Sequence, residues 1–183
     1  DVYFTYKKLL RDEQQPQKIL KQERSSSALI FYWGIKKQFL SLGLHNIFFS
    51  NNYQEEFKHL FDSKSVYHDP TVYINISSKH QPNDAPEGCE NWFTMINVPN
   101  NIGQDWEQFK TQARANILKK LSKHFKQDIE ALITTEAVLD PVTIEEKTSS
   151  YRGSLYGTSS NNQFAAFLRH ANFSKKLKNL YFV

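Results

Sequence analysis

The sequence predicts an α+β fold, a mainly antiparallel sheet with helices packed on it. Three observations carry that expectation. Residues 28–36 form an apolar run with Leu29, Phe31, Trp33 and Ile35 on one side and Ala28, Ile30 and Tyr32 on the other. A strand of that kind is covered on both faces, by protein or by ligand. Residues 71–77 alternate, with Val72, Ile74 and Ile76 set against Thr71, Tyr73 and Asn75, the period of a half-exposed strand. Trp106, Phe109, Ala113, Ile117, Leu121 and Phe125 recur three or four residues apart, one apolar stripe of a long helix. Strands and helices follow one another without a strict βαβ rhythm, so an antiparallel sheet is favoured over a doubly wound parallel one. The 183 residues suit one domain with a substantial core.

The remaining elements follow in chain order. Val2, Tyr6, Leu9 and Leu10 have helical spacing, so a short helix is expected from residue 2 to about residue 11. Gln14 to Ser27 is a polar connection holding Pro16, with room for a second helix over 17–24. A strand is expected over 45–49. A short amphipathic helix carrying Tyr53, Phe57, Leu60 and Phe61 follows, with Ser50 or Asn51 as its cap. Asp69-Pro70 makes a turn, residues 79–88 a loop rich in Pro, Asn and Asp, and residues 92–98 another strand. Gly103 and Asp105 open the long helix. Residues 128–133 read as a helical turn and 136–139 as a short strand. Asp140-Pro141 reads as a helix start, with aspartate as cap and proline in the first turn. Phe164 to Leu168 reads as helix and Leu180 to Val183 as a strand. Asp1 and the apolar end at Val183 are read as the ends of a piece cut from a longer protein.

Composition narrows the function classes. The net charge is +4, with 39% hydrophobic and 23% charged residues. The 14 Phe, 9 Tyr and 3 Trp suit a bulky core or a wide apolar binding surface. Lys119, Lys120, Lys123 and Lys126 gather toward one helix end, and Lys175, Lys176 and Lys178 near the C-terminus. Lysines late in a helix complement its dipole, so a solvated face is favoured and no nucleic acid is expected as a partner. Cys89 is the only cysteine, which excludes an intrachain disulfide and a cysteine-based zinc site. The longest apolar run, residues 28–35, is too short to span a membrane.

Negative evidence limits the chemistry. The six glycines form neither G-x-G-x-x-G nor a P-loop. Gly153-Ser154-Leu155-Tyr156-Gly157 places its serine one position too early for a nucleophile elbow. His68-Asp69 and His170 lack metal-ligand spacing, and no metal is expected. Glu55-Glu56 and Glu145-Glu146 are neighbours on expected helices, so they diverge by about 100° and read as solvated acids. The best site candidate is Gly153 to Asn172. Two glycines let the backbone approach a ligand, and Tyr156, Phe164, Phe167 and Arg169 can line or rim an apolar channel.

GSLYGTSSNNQFAAFLRHAN from Gly153 to Asn172, with NLYFV from Asn179, resembles a segment near the C-terminus of bacterial-type phytoene desaturases. Phe31-Tyr-Trp-Gly-Ile35, LHNIFFSNNYQEEF from Leu44, DPTVYIN from Asp69 and NDAPEGCENWFTMINVP from Asn83 extend the likeness over nearly the whole chain. Cys89 stands where many relatives carry histidine and Ala171 where proline is common. The resemblance implies the C-terminal, substrate-side fragment of an amine-oxidase-like flavoprotein. It implies FAD in the full-length enzyme, held by segments on both sides of these residues, with no cofactor in this fragment and no activity of the fragment alone. It implies an apolar carotenoid precursor as ligand and a cytoplasmic location with peripheral contact to the inner face of the membrane. Trp33, Tyr156, Phe164, Phe167 and Arg169 are the substrate-binding candidates and Arg152 a candidate for the channel mouth. No catalytic acid or base is assigned. A related carotenoid isomerase, oxygenase or dehydrogenase is the nearest alternative, and a free-standing lipid- or partner-binding module the more distant one.

Overall fold

Nine residues of alternating apolar side chains put the strand Ser27–Ile35 at the inside of a sheet. A computed structural model describes residues 1–10, 17–159, 170–174 and 177–182. Its helices and strands run α1 (Val2–Phe4), α2 (Gln17–Leu20), β1 (Ser27–Ile35), β2 (His45–Phe48), α3 (Tyr53–Phe61), β3 (Val72–Asn75), β4 (Glu90–Val98), α4 (Trp106–Phe125), β5 (Ile133–Leu139) and α5 (Pro141–Thr148). The strands form one antiparallel sheet in the order β2-β3-β4-β1-β5. The α+β expectation therefore holds.

One sheet face packs on α4. Leu29, Phe31, Trp33 and Ile35 of β1, Val72 and Ile74 of β3, and Trp92, Ile96 and Val98 of β4 form one core with Ala113, Ile117, Leu118 and Leu121 of the helix. The 3.6-residue stripe read from the sequence is the buried one, since only a helix presents those positions together. Asp105 caps α4 by accepting the Gln108 N–H at 3.0 Å. The helix ends at Lys126, whose left-handed φ of +53° closes the last turn.

Several details differ from expectation. The first helix breaks after Phe4 into a wider turn over Thr5–Leu9, closed by Leu10 N–H to Thr5 O at 2.9 Å. The cap of α3 is Asn52, which accepts from Glu55 N–H at 3.1 Å; Ser50 instead accepts from Asn52 N–H, and Asn51 N–H is turned to Asp69. The last strand begins at Ile133, three residues earlier than its pattern suggested. It lies at the sheet edge, where one unpaired side leaves its residues half-exposed or exposed and hides the alternation. The expected helix over 164–168 lies outside the described residues. Where a strand over 180–183 was expected, the described residues hold a single bridge between Phe173 and Tyr181, because no sheet strand stands beside them to extend the ladder.

Two glycines are required by geometry. A Cβ on Gly34 would collide with Thr135 Oγ1 of the neighbouring β5, where the β1–β5 register shifts. Gly153 has a φ of +65°, and a Cβ there would run into the backbone of Pro141. Ser27 Oγ donates to Gly153 O at 2.5 Å, holding this turn against the start of β1. Asp140 caps α5 through Thr143 N–H at 2.8 Å and receives Lys110 Nζ at 3.2 Å. Burial works against its ionised form, but the Thr143 bonds and Lys110 outweigh that and hold the carboxyl below its ordinary range.

Gly153→Ala is expected to destabilise the protein by about 2–4 kcal/mol, a left-handed backbone penalty plus a steric clash. Gly157→Ala, with a φ of +70° but open space around it, is expected to lose only the backbone part, about 1–2 kcal/mol. Denaturant titration of both variants checks this; equal losses would show that the Pro141 contact contributes nothing. Because the Asp140 pKa is depressed, its contribution is complete above the unfolded value of about 3.9 and is lost as pH falls through the lower folded one. Asp140→Asn keeps the cap but removes the charge. Its denaturation midpoint should therefore fall less steeply below about pH 5 than that of the unchanged protein.

Candidate functional site

Burying one face of a sheet dictates what the other carries. In register across the open face run His45, Asn75, Phe93, Tyr32 and Ala137, and beside them Ile47, Tyr73, Met95, Ile30 and Leu139. Tyr32 is 43% exposed, while its neighbour Trp33 is 2% exposed in the core. The Tyr32 ring meets Phe93 edge-on at 5.5 Å, and Phe93 meets Tyr73 at 6.3 Å. Aromatic pairs across strands hold such a surface flat without help from a covering layer.

A cleft of about 560 Å³ lies over this face, bounded by Tyr32, Gly34, Asn91 and Phe93 of the sheet, the Asp84–Cys89 loop, and Thr135 and Ala137 of β5. The place of a side chain on Gly34 is taken by the hydroxyls of Thr135 and Thr134. Several ties hold the loop in place. Asn91 Nδ2 donates to Ser77 Oγ at 2.8 Å, Asn91 Oδ1 accepts from Ser78 N–H at 3.0 Å, and Ser77 Oγ donates to Asp84. At one corner of the open face His45 Nδ1 and Tyr73 Oη lie 2.7 Å apart, with Asn75 Nδ2 bonded to Leu44 O at 3.2 Å. This corner is polar but carries no formal carboxylate or ammonium.

The segment after α5 builds a second cleft, of about 460 Å³, lined by Tyr156, Gly157, Arg24, Ser154 and His170 among others. It runs beside residues 23–27. Ser25 N–H donates to Gly157 O at 3.0 Å, Tyr156 N–H to Ser25 Oγ at 3.0 Å, and Ser159 N–H to Glu23 O at 2.8 Å. Leu155 N–H donates to Ser26 O at 3.1 Å. Positive φ at Gly153 and Gly157 allows this path.

Of the residues expected to bind substrate, Trp33 and Tyr156 therefore border different clefts. Trp33 turns its indole toward the helix side, where Nε1 donates to Glu136 Oε2 at 2.5 Å. Phe164, Phe167 and Arg169 lie outside the described residues. Among the described residues no group of three or more potential metal ligands converges. Glu56, expected to be a solvated acid, is buried and accepts from both Thr71 N–H and Thr71 Oγ1 at 2.7 Å, because α3 lies over the start of β3. Lys120 likewise leaves the expected solvated lysine face: its Nζ reaches Asp69 Oδ1 at 2.9 Å and Pro70 O at 2.8 Å. Burial of Asp69 is outweighed by the Asn51 N–H and Lys120, and its pKa falls. Phe93 and His45 were missed; the two-residue period placed Tyr73 and Asn75 on an exposed face, but only strand register sets Phe93 and His45 beside them.

Comparison with known proteins decides the lineage. Over all of its 183 residues the chain is 61% identical to the 1-hydroxycarotenoid 3,4-desaturase of Flavobacterium sp. (strain P99-3). It is 29% identical over its whole length to the phytoene desaturase of Fusarium fujikuroi. The chain is similar from end to end to the carotenoid desaturases. Over 96% of its length it is also 31% identical to the 4,4'-diapolycopene oxygenase of Methylomonas sp.. It spans 38%, 36% and 36% of these three proteins, so they extend well beyond the matched part. No protein-family model matches the chain. The carotenoid desaturase resemblance read from the sequence is borne out, and the α+β architecture agrees with the amine-oxidase-like fold it implied. Among the described residues no helix is long and apolar enough to cross a membrane.

Proposed function

We propose that these residues form the substrate-side region of a flavin-dependent carotenoid desaturase, and that the open face of the sheet is the wall along which the polyene lies. The observation that carries this reading is the aromatic open face itself, with Tyr32 and Phe93 lining the cleft and Tyr73 beside Phe93. A carotenoid has few polar groups, so its binding free energy comes mostly from apolar area, about 25 cal/mol per Å² removed from water. A flat aromatic wall supplies area at little entropic cost. The Asp84 carboxyl at its border is bonded to Ser77, which limits the desolvation that a ligand imposes.

The flavin of such an enzyme takes up the hydride equivalents removed from the saturated carbons. Gly34 sits within β1, Gly153 closes the single turn Tyr151–Gly153 and the other glycines lie in loops, so among the described residues none opens a helix as a dinucleotide cradle does. These residues therefore do not form the glycine turn that a flavin dinucleotide requires. In this reading segments on both sides of the domain hold the cofactor, and the domain by itself is inactive. Its own residues bind the chain, orient it and exclude water.

The high identity to a 1-hydroxycarotenoid desaturase favours a hydroxylated carotenoid as substrate. The His45–Tyr73–Asn75 corner offers the polar handle such a substrate requires, a donor–acceptor group within an apolar face. Substrate collection from the inner face of a membrane fits the exposed apolar side chains of Leu40, Ile47, Phe49 and Tyr53.

In the full-length enzyme, Phe93→Asp is expected to lower desaturation at least about tenfold, because a carboxylate on the wall must be desolvated beneath the polyene. Tyr73→Phe is expected to reduce the preference for hydroxylated over non-hydroxylated carotenoid by about three- to tenfold while sparing the latter. Chromatography of pigments formed from each substrate checks both, with circular dichroism confirming the fold. Unchanged products from a folded Phe93→Asp enzyme would remove the sheet face from the substrate path.

A further inference from the structure

On the N-terminal side of the molecule, away from the open sheet face, lies a separate pocket of about 310 Å³. Tyr3, Lys7, Lys21, Arg24, Tyr151 and Arg152 are among its lining residues, and among the described residues it has no carboxylate in its wall. Arg24 is its deepest group. It is 4% exposed, and its Nε finds no hydrogen-bond partner. The nearest carboxylate is Asp1, whose Oδ1 lies 3.8 Å from Arg24 Nη1 and already accepts Tyr3 N–H at 2.7 Å.

Asp1 forms a long ion pair with Arg24 and balances this charge in part, but Nε stays without a partner among the described residues. Tyr3 and Tyr151 stack at 3.6 Å, and the Arg24 guanidinium sits 5.5 and 5.1 Å from their ring centroids. Ring faces attract a cation by about 0.5–2 kcal/mol, far short of a counter-ion for a buried charge. Arg152 also lies over the Tyr151 ring at 5.3 Å, and Lys7 over Tyr3 at 5.9 Å. Among the described residues Lys7, Lys21 and Arg152 make no ion pair, and Arg24 pairs with Asp1 alone. Burial pulls the Arg24 guanidinium below its ordinary pKa and Arg152 pushes the same way, although the two tyrosines partly resist. Four cations around one concavity with an unsatisfied buried N–H form a site built for negative charge.

We propose that this pocket binds a phosphate-class oxyanion, with Arg24 as the buried anchor and Lys7, Lys21 and Arg152 as its rim. A guanidinium fork and several ammonium groups suit the multiple oxygens of a phosphate better than one carboxylate. The tyrosine stack holds the fork in place without supplying an acceptor that would compete. The same chemistry serves a soluble phosphate ester or the headgroup of a phospholipid. The proposal does not depend on the polyene reading, since the two clefts share no lining residue.

Calorimetric titration of the full natural chain with inorganic pyrophosphate, alongside co-sedimentation with phosphatidylglycerol vesicles, tests the site. The unchanged protein is expected to bind at least one of the two. Lys7→Gln/Lys21→Gln, both at exposed positions, should weaken that binding about tenfold or more, and Arg24→Gln should abolish it. Pyrophosphate binding that weakens in the variants while vesicle binding does not assigns a soluble phosphate. Vesicle binding that falls in the variants and is competed by pyrophosphate assigns a headgroup. Failure of the unchanged protein to bind either probe, or equal binding by the unchanged protein and the double lysine variant, overturns the proposal. The lysine variant decides the matter if Arg24→Gln does not fold.

Discussion

The pairing of β1 on both its edges is the constraint from which the rest of this structure follows. The strand lies between β4 and β5, so its register is set twice. Leu29, Phe31, Trp33 and Ile35 all point at α4, and each fully buried side chain of this size contributes about 1.5–3 kcal/mol. A slip by one residue would exchange that set for Ala28, Ile30, Tyr32 and Gly34. The loss is large enough that one register wins, and the same choice delivers Tyr32 and Gly34 to the opposite face. The core and the candidate substrate wall are thus two consequences of one packing decision.

Carboxylates that might have suggested chemistry are used as fasteners. Glu90 is buried and holds the 36–44 connection by accepting Phe39 N–H at 2.8 Å, Trp92 Nε1 at 2.8 Å and Lys79 Nζ at 2.6 Å. Glu136 accepts Trp33 Nε1 and pairs with Arg114, which also reaches Glu130 at 2.6 Å. Glu56 binds α3 to the residue before β3. A buried acid with two or three donors is satisfied, and removing a donor leaves a desolvated charge. What these ties keep off the open face is as significant as what they join. Of the carboxylates that border the cleft over this face, Asp84 is tied to Ser77, Glu90 to Lys79 and Glu136 to Arg114, and the strand residues at its polar corner are neutral.

Two regions of unlike chemistry thus coexist in this domain. The sheet face is apolar with a neutral polar corner, whereas the pocket around Arg24 concentrates cations. The segment after α5 runs from the cationic pocket, which Arg152 rims, to the 460 Å³ cleft, which Tyr156 borders four residues on. Its path beside residues 23–27 runs through left-handed turns at Arg152, Gly153 and Gly157.

Local patterns were enough for the elements and the lineage. Period two in residues 71–77, the stripe from Trp106 to Phe125 and the Asp140-Pro141 start are properties of neighbouring residues, and each reappears in the structure. Ordered motifs from Leu44 to Asn172 pointed to the carotenoid desaturases because spacing along a chain is itself linear information. Only the tertiary structure decided which face of the 28–35 run is core, that Glu56 and Lys120 are tied down, and that His45 and Phe93 share a surface with Tyr32. It also decided that Arg24 sits buried beside Lys7, Lys21 and Arg152. Those outcomes join residues far apart in sequence, and strand register and burial, rather than any local pattern, determine which distant side chains meet.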